Sequence, residues 1–176
     1  MKILIAEDEP GIQEVYQLSL ENRGHQVTVT NNGKECTDFY AKTLASLPES
    51  SESYLTENPP FDAVILDYRM PIMDGMDAAK FILGKNPHQR IIFASAYVLS
   101  TLKESVKQLH AIVELIQKPF ELDELIDIVE DTEIFGELGK INVNIGALKD
   151  FNPTHEQLRE MLEGLKKLHK QTPLLG

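Results

Sequence analysis

Five polar side chains that can take part in phosphoryl chemistry each follow a short apolar stretch of the chain. They are Glu7 and Asp8 near the start, then Asp67, Ser95 and Lys118. Three carboxylates brought to one place repel one another unless a cation joins them, and oxygen ligands favour Mg²⁺ (or Mn²⁺). Asp67 can then act as a nucleophile toward phosphorus, while Lys118 adds positive charge and Ser95 donates a hydrogen bond to a phosphoryl oxygen.

The apolar stretches themselves predict the elements that must position these side chains. Several show little polar alternation, which is typical of strands buried on both faces of a parallel sheet. The predicted strands cover residues 2–6, 26–30, 63–66, 90–94 and 115–117. Helical patterns, one of which ends at Gly24 as a left-handed C-cap, cover residues 12–22, 33–47, 76–83, 100–109 and 122–129.

This alternation predicts an α/β fold with a doubly wound, five-stranded parallel sheet and right-handed crossovers. Sites in such sheets form beyond the carboxyl ends of the strands, which is where all five polar side chains fall. Residues 48–60 are rich in Ser, Glu and Pro and predict an exposed loop. We therefore expect one domain over residues 1–130 with its site at a single edge.

The C-terminal part of the chain predicts an extension of this domain. Residues 131–152 are interpreted as a linker or a packed extended segment, and residues 153–170 as an amphipathic helix that opens with a capping box at Thr154 and Gln157. Its apolar stripe needs a partner: the domain's own face around predicted helices 100–109 and 122–129, or another chain, as in a homodimer. The stripe consists of Leu158, Met161, Leu162, Leu165 and Leu168.

Four segments resemble the signatures of response-regulator receiver domains. In order, they are KILIAEDEP at 2–10, LDYRMPIMDG at 66–75, ASA at 94–96 and KPF at 118–120. The resemblance spans residues 1 to about 130 and implies a flavodoxin-like (βα)5 receiver fold. It also implies a two-component phosphorelay role, with phosphoryl transfer from a sensor histidine kinase and output through an unidentified downstream protein.

The resemblance also implies a role for each site residue. Asp67 would be the phosphoacceptor, Ser95 the switch hydroxyl and Lys118 the family's lysine. Glu7, Asp8 and Asp67 would bind the metal, with the Arg69 backbone carbonyl as a further ligand.

Two further side chains and one peptide bond follow from the same resemblance. Arg69 and Tyr97 would flank the path of attacking water, so we expect them to slow loss of the phosphoryl group. The bond from Lys118 to Pro119 would be cis. The sequence departs from the common pattern at Glu7, where aspartate is more usual, and at Leu115, where an aromatic is frequent; the latter argues against the winged-helix transcription-factor branch.

Composition excludes several other classes of function. The 176 residues carry a net charge of −11, which argues against direct nucleic-acid binding because phosphate contacts need clustered Lys and Arg. Cys36 is the only cysteine, so no intrachain disulfide is expected. No apolar run reaches the ~18 residues that a membrane span needs, and we expect a protein of the reducing cytoplasm.

Two alternative functions compete with that of a phosphoacceptor that is not an enzyme acting on a separate substrate. A pseudo-receiver would be a binding scaffold that no longer takes phosphate, and it would be favoured by loss of an acid or of Lys118; neither is lost. A phosphohydrolase of haloacid-dehalogenase type would need a second aspartate two positions after Asp67, where this chain has Arg69.

Overall fold

The computed structural model describes residues 1–47, 59–96, 106, 109, 113–131, 159–160 and 162–164. Within these ranges, five parallel strands form one sheet in the order β2-β1-β3-β4-β5. This is the strand order of flavodoxin-like sheets, so the predicted fold class is confirmed. The strands are β1 Lys2–Ala6, β2 Gln26–Thr30, β3 Ala63–Leu66, β4 Ile91–Ser95 and β5 Val113–Gln117.

Among the residues that the structure describes, four helices flank the sheet, and local signals in the sequence fix where three of them begin. Helix α1 starts with Pro10, a residue suited to the first turn because it has no amide hydrogen to leave unpaired. The Asn32 side chain accepts a hydrogen bond from the N–H of Glu35 and caps the next helix; Asp74 caps the third. The helices are α1 Pro10–Asn22, α2 Gly33–Ala45, α3 Gly75–Lys85 and α4 Leu122–Glu130.

The end of α1 is fixed by Gly24. Its φ of 86° lies in the left-handed region, which a residue without a Cβ adopts at little cost. Its N–H donates to the carbonyl of Glu21 at 2.8 Å, and the N–H of His25 donates to that of Leu20 at 3.2 Å. These are the two bonds of a Schellman motif, and the predicted C-cap is confirmed.

Alternate strand residues pack into two apolar layers, one on each face of the sheet. Leu4, Val64 and Phe93 face α2 and α3, where Tyr40 and Ile82 are fully buried. The opposite layer joins the intervening strand residues to α1 and α4, through Ile3, Ile5, Ile65, Ile92, Leu20, Leu125 and Val129. Burial on both faces explains why the strands read as nearly continuous apolar runs.

Most predicted element ends fall within two residues of those observed, and β5 shows why some differ. This strand begins at Val113 rather than at residue 115, because Glu114 is fully buried within it and pairs with Arg90 at 2.9 Å. Strand β4 covers 91–95 rather than 90–94. Helix α1 begins two residues before the predicted start, α2 ends two residues early, α4 extends one residue further, and α3 extends beyond its prediction at both ends.

Several predictions fall on residues outside the described ranges. These are most of the loop 48–60, most of the helix 100–109, Tyr97, the segment 132–152 and much of the helix 153–170. Of the last, residues 159–160 and 162–164 are helical, and the Leu162 side chain is buried. Arg159 pairs with Asp131, directly after α4, through contacts of 2.5 and 3.1 Å. In the ranges that are described, no helix is long and apolar enough to cross a membrane.

Candidate functional site

The sheet brings the predicted site residues to one edge. Glu7 and Asp8 directly follow β1, Asp67 follows β3, Ser95 ends β4 and Lys118 follows β5. Because these strands are parallel neighbours, their carboxyl ends lie side by side. The prediction of a common edge is therefore confirmed.

Three of these side chains form an acidic cluster. Glu7, Asp8 and Asp67 each offer a carboxylate oxygen, and these oxygens lie within 4.8 Å of one another. Glu7 is buried, Asp67 is partly exposed and Asp8 is exposed, so the cluster opens to solvent on one side. This set fits Mg²⁺, which takes a few carboxylates and keeps several of its waters.

Lys118 lies between two of the acids and compensates their charge. Its Nζ donates to Glu7 Oε2 at 2.6 Å and to Asp67 Oδ2 at 3.0 Å. Burial opposes the charge on Lys118, but the hydrogen bonds that it donates to Glu7 and Asp67, together with the negative charge of Asp67, outweigh burial and raise the pKa of this lysine. The ammonium therefore stays charged at the bottom of the acidic cluster.

Glu7 experiences the opposite balance. Burial raises the pKa of its carboxyl group, and the hydrogen bond and charge of Lys118 offset this only in part; the negative charge of Asp67 adds to the rise. Its second oxygen has one long contact, 3.4 Å from the N–H of Glu9. A further positive charge at the cluster would therefore stabilise the ionised carboxylate of Glu7.

The loop that carries Asp67 is held by close backbone contacts. The N–H of Arg69 donates to Asp67 Oδ1 at 3.2 Å, and the N–H of Gly75 donates to the carbonyl of Tyr68 at 3.1 Å. A Cβ at Gly75 would lie 2.0 Å from the Asp67 carbonyl oxygen. The glycine is thus required by this close approach, which fixes the start of α3 against the backbone of Asp67.

Ser95 and the turn after β5 complete the edge. Ser95 is buried, and its carbonyl accepts a hydrogen bond from the N–H of Lys118 at 2.8 Å. The peptide bond from Lys118 to Pro119 is cis, as expected. Of the two residues predicted to slow loss of the phosphoryl group, Arg69 is exposed beside Asp67. Tyr97 lies outside the described ranges.

One aromatic side chain at the site was missed by the sequence analysis. The Tyr16 ring, on α1, lies with its centroid 5.9 Å from Lys118 Nζ and stacks on Phe120 at 5.8 Å between ring centroids. Tyr16 lies on helix α1, nine residues after Glu7. Its spacing of four residues from Leu20 predicts only that both lie on the buried face of the helix. No motif marks it as a neighbour of Lys118.

Comparison with known proteins finds one family along most of this chain. The family model for the response regulator receiver domain matches residues 3–130. Sporulation initiation phosphotransferase F of Bacillus subtilis is 30% identical over 129 residues, covering 73% of this chain and 90% of that protein. Histidine kinase 1 of Arabidopsis thaliana is 28% identical over 122 residues, covering 57% of this chain but only 10% of the kinase.

Solved structures show the same fold. The response regulator TrrA of Thermotoga maritima, in complex with Mg²⁺ and BeF, is 29% identical with a TM-score of 0.55. The match covers 73% of this chain and 96% of that one. With the family model matching well over half of the sequence, this chain belongs to the family of response regulator receiver domains.

Proposed function

We propose that this receiver domain accepts a phosphoryl group on Asp67 from a histidine kinase, with help from a bound Mg²⁺. The observation that carries the proposal is the cluster of three carboxylate oxygens within 4.8 Å, one of them on Asp67, with Lys118 Nζ 3.0 Å from Asp67. A nucleophilic carboxylate, a metal-binding acid set and a fixed cation are the groups that phosphoryl transfer needs.

The chain's own residues account for the transfer step. A carboxylate oxygen of Asp67 forms a bond to phosphorus while the bond from phosphorus to the donor breaks, and the donor leaves with that electron pair. Lys118 provides positive charge beside the oxygens of the group in transfer, and the Ser95 hydroxyl is the donor available to a phosphoryl oxygen at the neighbouring strand end. Mg²⁺, when bound by Glu7, Asp8, Asp67 and the Arg69 carbonyl, supplies further charge neutralisation.

The geometry favours this function over the alternatives. A pseudo-receiver scaffold has no need for Lys118 to hold contacts of 2.6 and 3.0 Å with two acids at the strand ends. A phosphohydrolase of the dehalogenase type would place an acid two positions after Asp67, and Arg69 stands there. We infer a signalling phosphoacceptor rather than an enzyme that turns over a separate phosphate ester.

We infer that the output passes through protein contacts, in the cytoplasm. The residues after 130 carry seven acids and six bases, a balance that does not favour phosphate-backbone binding. The downstream protein is expected to recognise the receiver surface or the C-terminal segment, and a homodimer through the apolar stripe remains the alternative.

Intact mass measurement with acetyl phosphate tests the proposal. We expect one added phosphoryl group when Mg²⁺ is present and none in Asp67→Asn, which keeps the size of the side chain but lacks the nucleophilic carboxylate. Asp8→Ala should bind Mg²⁺ more weakly in calorimetry, since it removes one of few protein ligands. Unchanged labelling of Asp67→Asn would disprove the assignment, and turnover of p-nitrophenyl phosphate would support the phosphohydrolase instead.

A further inference from the structure

Tyr16 is an aromatic side chain beside Lys118, the cation of the site. Its ring is almost fully buried on the inner side of α1, and its centroid lies 5.9 Å from Lys118 Nζ. Phe120 stacks on the same ring with an interplanar angle of 21°. Helix α1 is thereby joined, through one ring, to both the first and the third residue of the turn that follows β5.

We propose that Tyr16 is a positioning residue that holds the Lys118 ammonium at the site independently of the carboxylates. An ammonium within about 6 Å of an aromatic face is attracted by the ring's quadrupole, and more strongly where water is excluded. Only 14% of the Lys118 side chain is exposed. The effect of this contact on phosphorylation rests on the proposed function, whereas the contact itself does not.

The reason for such an anchor lies in the other partners of Lys118. Both are carboxylates of the acidic cluster, Glu7 and Asp67, and both are expected metal ligands. A cation bound at the cluster would compete for their charge and would itself repel the ammonium. The Tyr16 ring binds no such ion, so its attraction for Lys118 persists when that of the acids is weakened.

The ring, rather than the hydroxyl, supplies this anchor. Burial raises the pKa of Tyr16 to about 12, so the side chain is neutral at physiological pH. Among the described residues, no hydrogen bond is made by its hydroxyl group. Phenylalanine should therefore replace tyrosine here with little loss, whereas an aliphatic side chain of similar bulk should not.

Two single variants of this chain and one double variant test the proposal. Under saturating Mg²⁺, Tyr16→Leu should accept phosphate from acetyl phosphate about three- to thirty-fold more slowly, and Tyr16→Phe within about twofold of wild type. The Mg²⁺ dissociation constant should be unchanged in both. In a Lys118→Ala background, Tyr16→Leu should cause no further slowing, because coupled residues are not additive.

A measurement on the metal-free protein separates this inference from the proposed function. The ε-methylene signal of Lys118, observed with isotope-labelled lysine, should be shifted upfield by the ring in wild type and Tyr16→Phe but not in Tyr16→Leu. If Tyr16→Leu fails to fold, Tyr16→Met takes its place. Wild-type rates in Tyr16→Leu, or equal slowing with and without Lys118, would overturn the proposal. A wild type that takes no phosphate would instead disprove the proposed function and leave the spectroscopic test standing.

Discussion

Replacing Gly75 with alanine should damage the site directly, because the new methyl group would enter the backbone of Asp67. The added Cβ would stand 2.0 Å from the Asp67 carbonyl oxygen and 3.0 Å from the carbonyl carbon. Restoring an ordinary contact distance of 3.4 Å requires the two backbones to separate by about 1.4 Å. The displaced atoms belong to the proposed nucleophile itself.

The size of the effect follows from that displacement. Misplacing a reacting group by about 1 Å can lower a rate about 100-fold, and forcing extra volume into a packed site typically costs about 1–3 kcal/mol of stability. We expect Gly75→Ala to be phosphorylated by acetyl phosphate about 100-fold more slowly. We also expect its free energy of unfolding in urea to be lower by at least about 1–3 kcal/mol.

Gly84 provides a matched control on the same helix. It lies near the other end of α3, and a Cβ there would meet no atom within 4 Å. Gly84→Ala should stabilise the domain by about 0.5–1 kcal/mol and leave the phosphorylation rate unchanged. If Gly75→Ala matched wild type in both rate and stability, the account of how this loop is held would be refuted.

Three further predictions concern the fold around the site. Arg90→Met should lower the free energy of unfolding by about 3–5 kcal/mol, because buried Glu114 loses this counter-charge. Adding Glu114→Leu should recover most of that loss. A loss below about 1 kcal/mol in Arg90→Met alone would contradict this prediction. Cys36 is fully buried, and burial raises the pKa of its thiol to about 12. It should react with Ellman's reagent at pH 8 only after denaturant is added. Rapid reaction of the native protein would contradict the described packing around this side chain. Leu162→Glu should speed proteolysis of the C-terminal segment without lowering the melting temperature of the receiver, because the Leu162 side chain is buried. Arg159→Ala removes only an exposed ion pair with Asp131 and should have a small effect. Equal proteolysis of Leu162→Glu and wild type would mean that this helix is not docked.

The sheet and the edge that carries the site were predictable because both depend on local patterns. Strands buried on both faces read as apolar runs, and the parallel topology then sends Asp8, Asp67 and Lys118 to one place whatever the details of packing. The caps at Asn32 and Asp74 act within three residues of sequence, so the start of α2 was predicted at the observed residue and that of α3 one residue late.

The contacts between distant segments were not predictable from the sequence. Glu114 reads as a break in an apolar run, yet it is fully buried because the pairing of β4 with β5 brings Arg90 beside it, 24 positions away. Arg90 also donates to the carbonyl of Val129 at the end of α4, which no motif signals. Tyr16 likewise reads as a core residue, and only the fold places its ring beside Lys118.

The central claim is that Asp67 becomes covalently phosphorylated, and locating the bond tests it most directly. After reaction with acetyl phosphate and Mg²⁺, borohydride reduction converts an aspartyl phosphate into homoserine, which peptide mass mapping can place in the sequence. We predict homoserine at position 67 alone, with Asp8 unmodified. Homoserine at another aspartate, or none despite a gain in intact mass, would contradict the assignment of Asp67 as the phosphoacceptor.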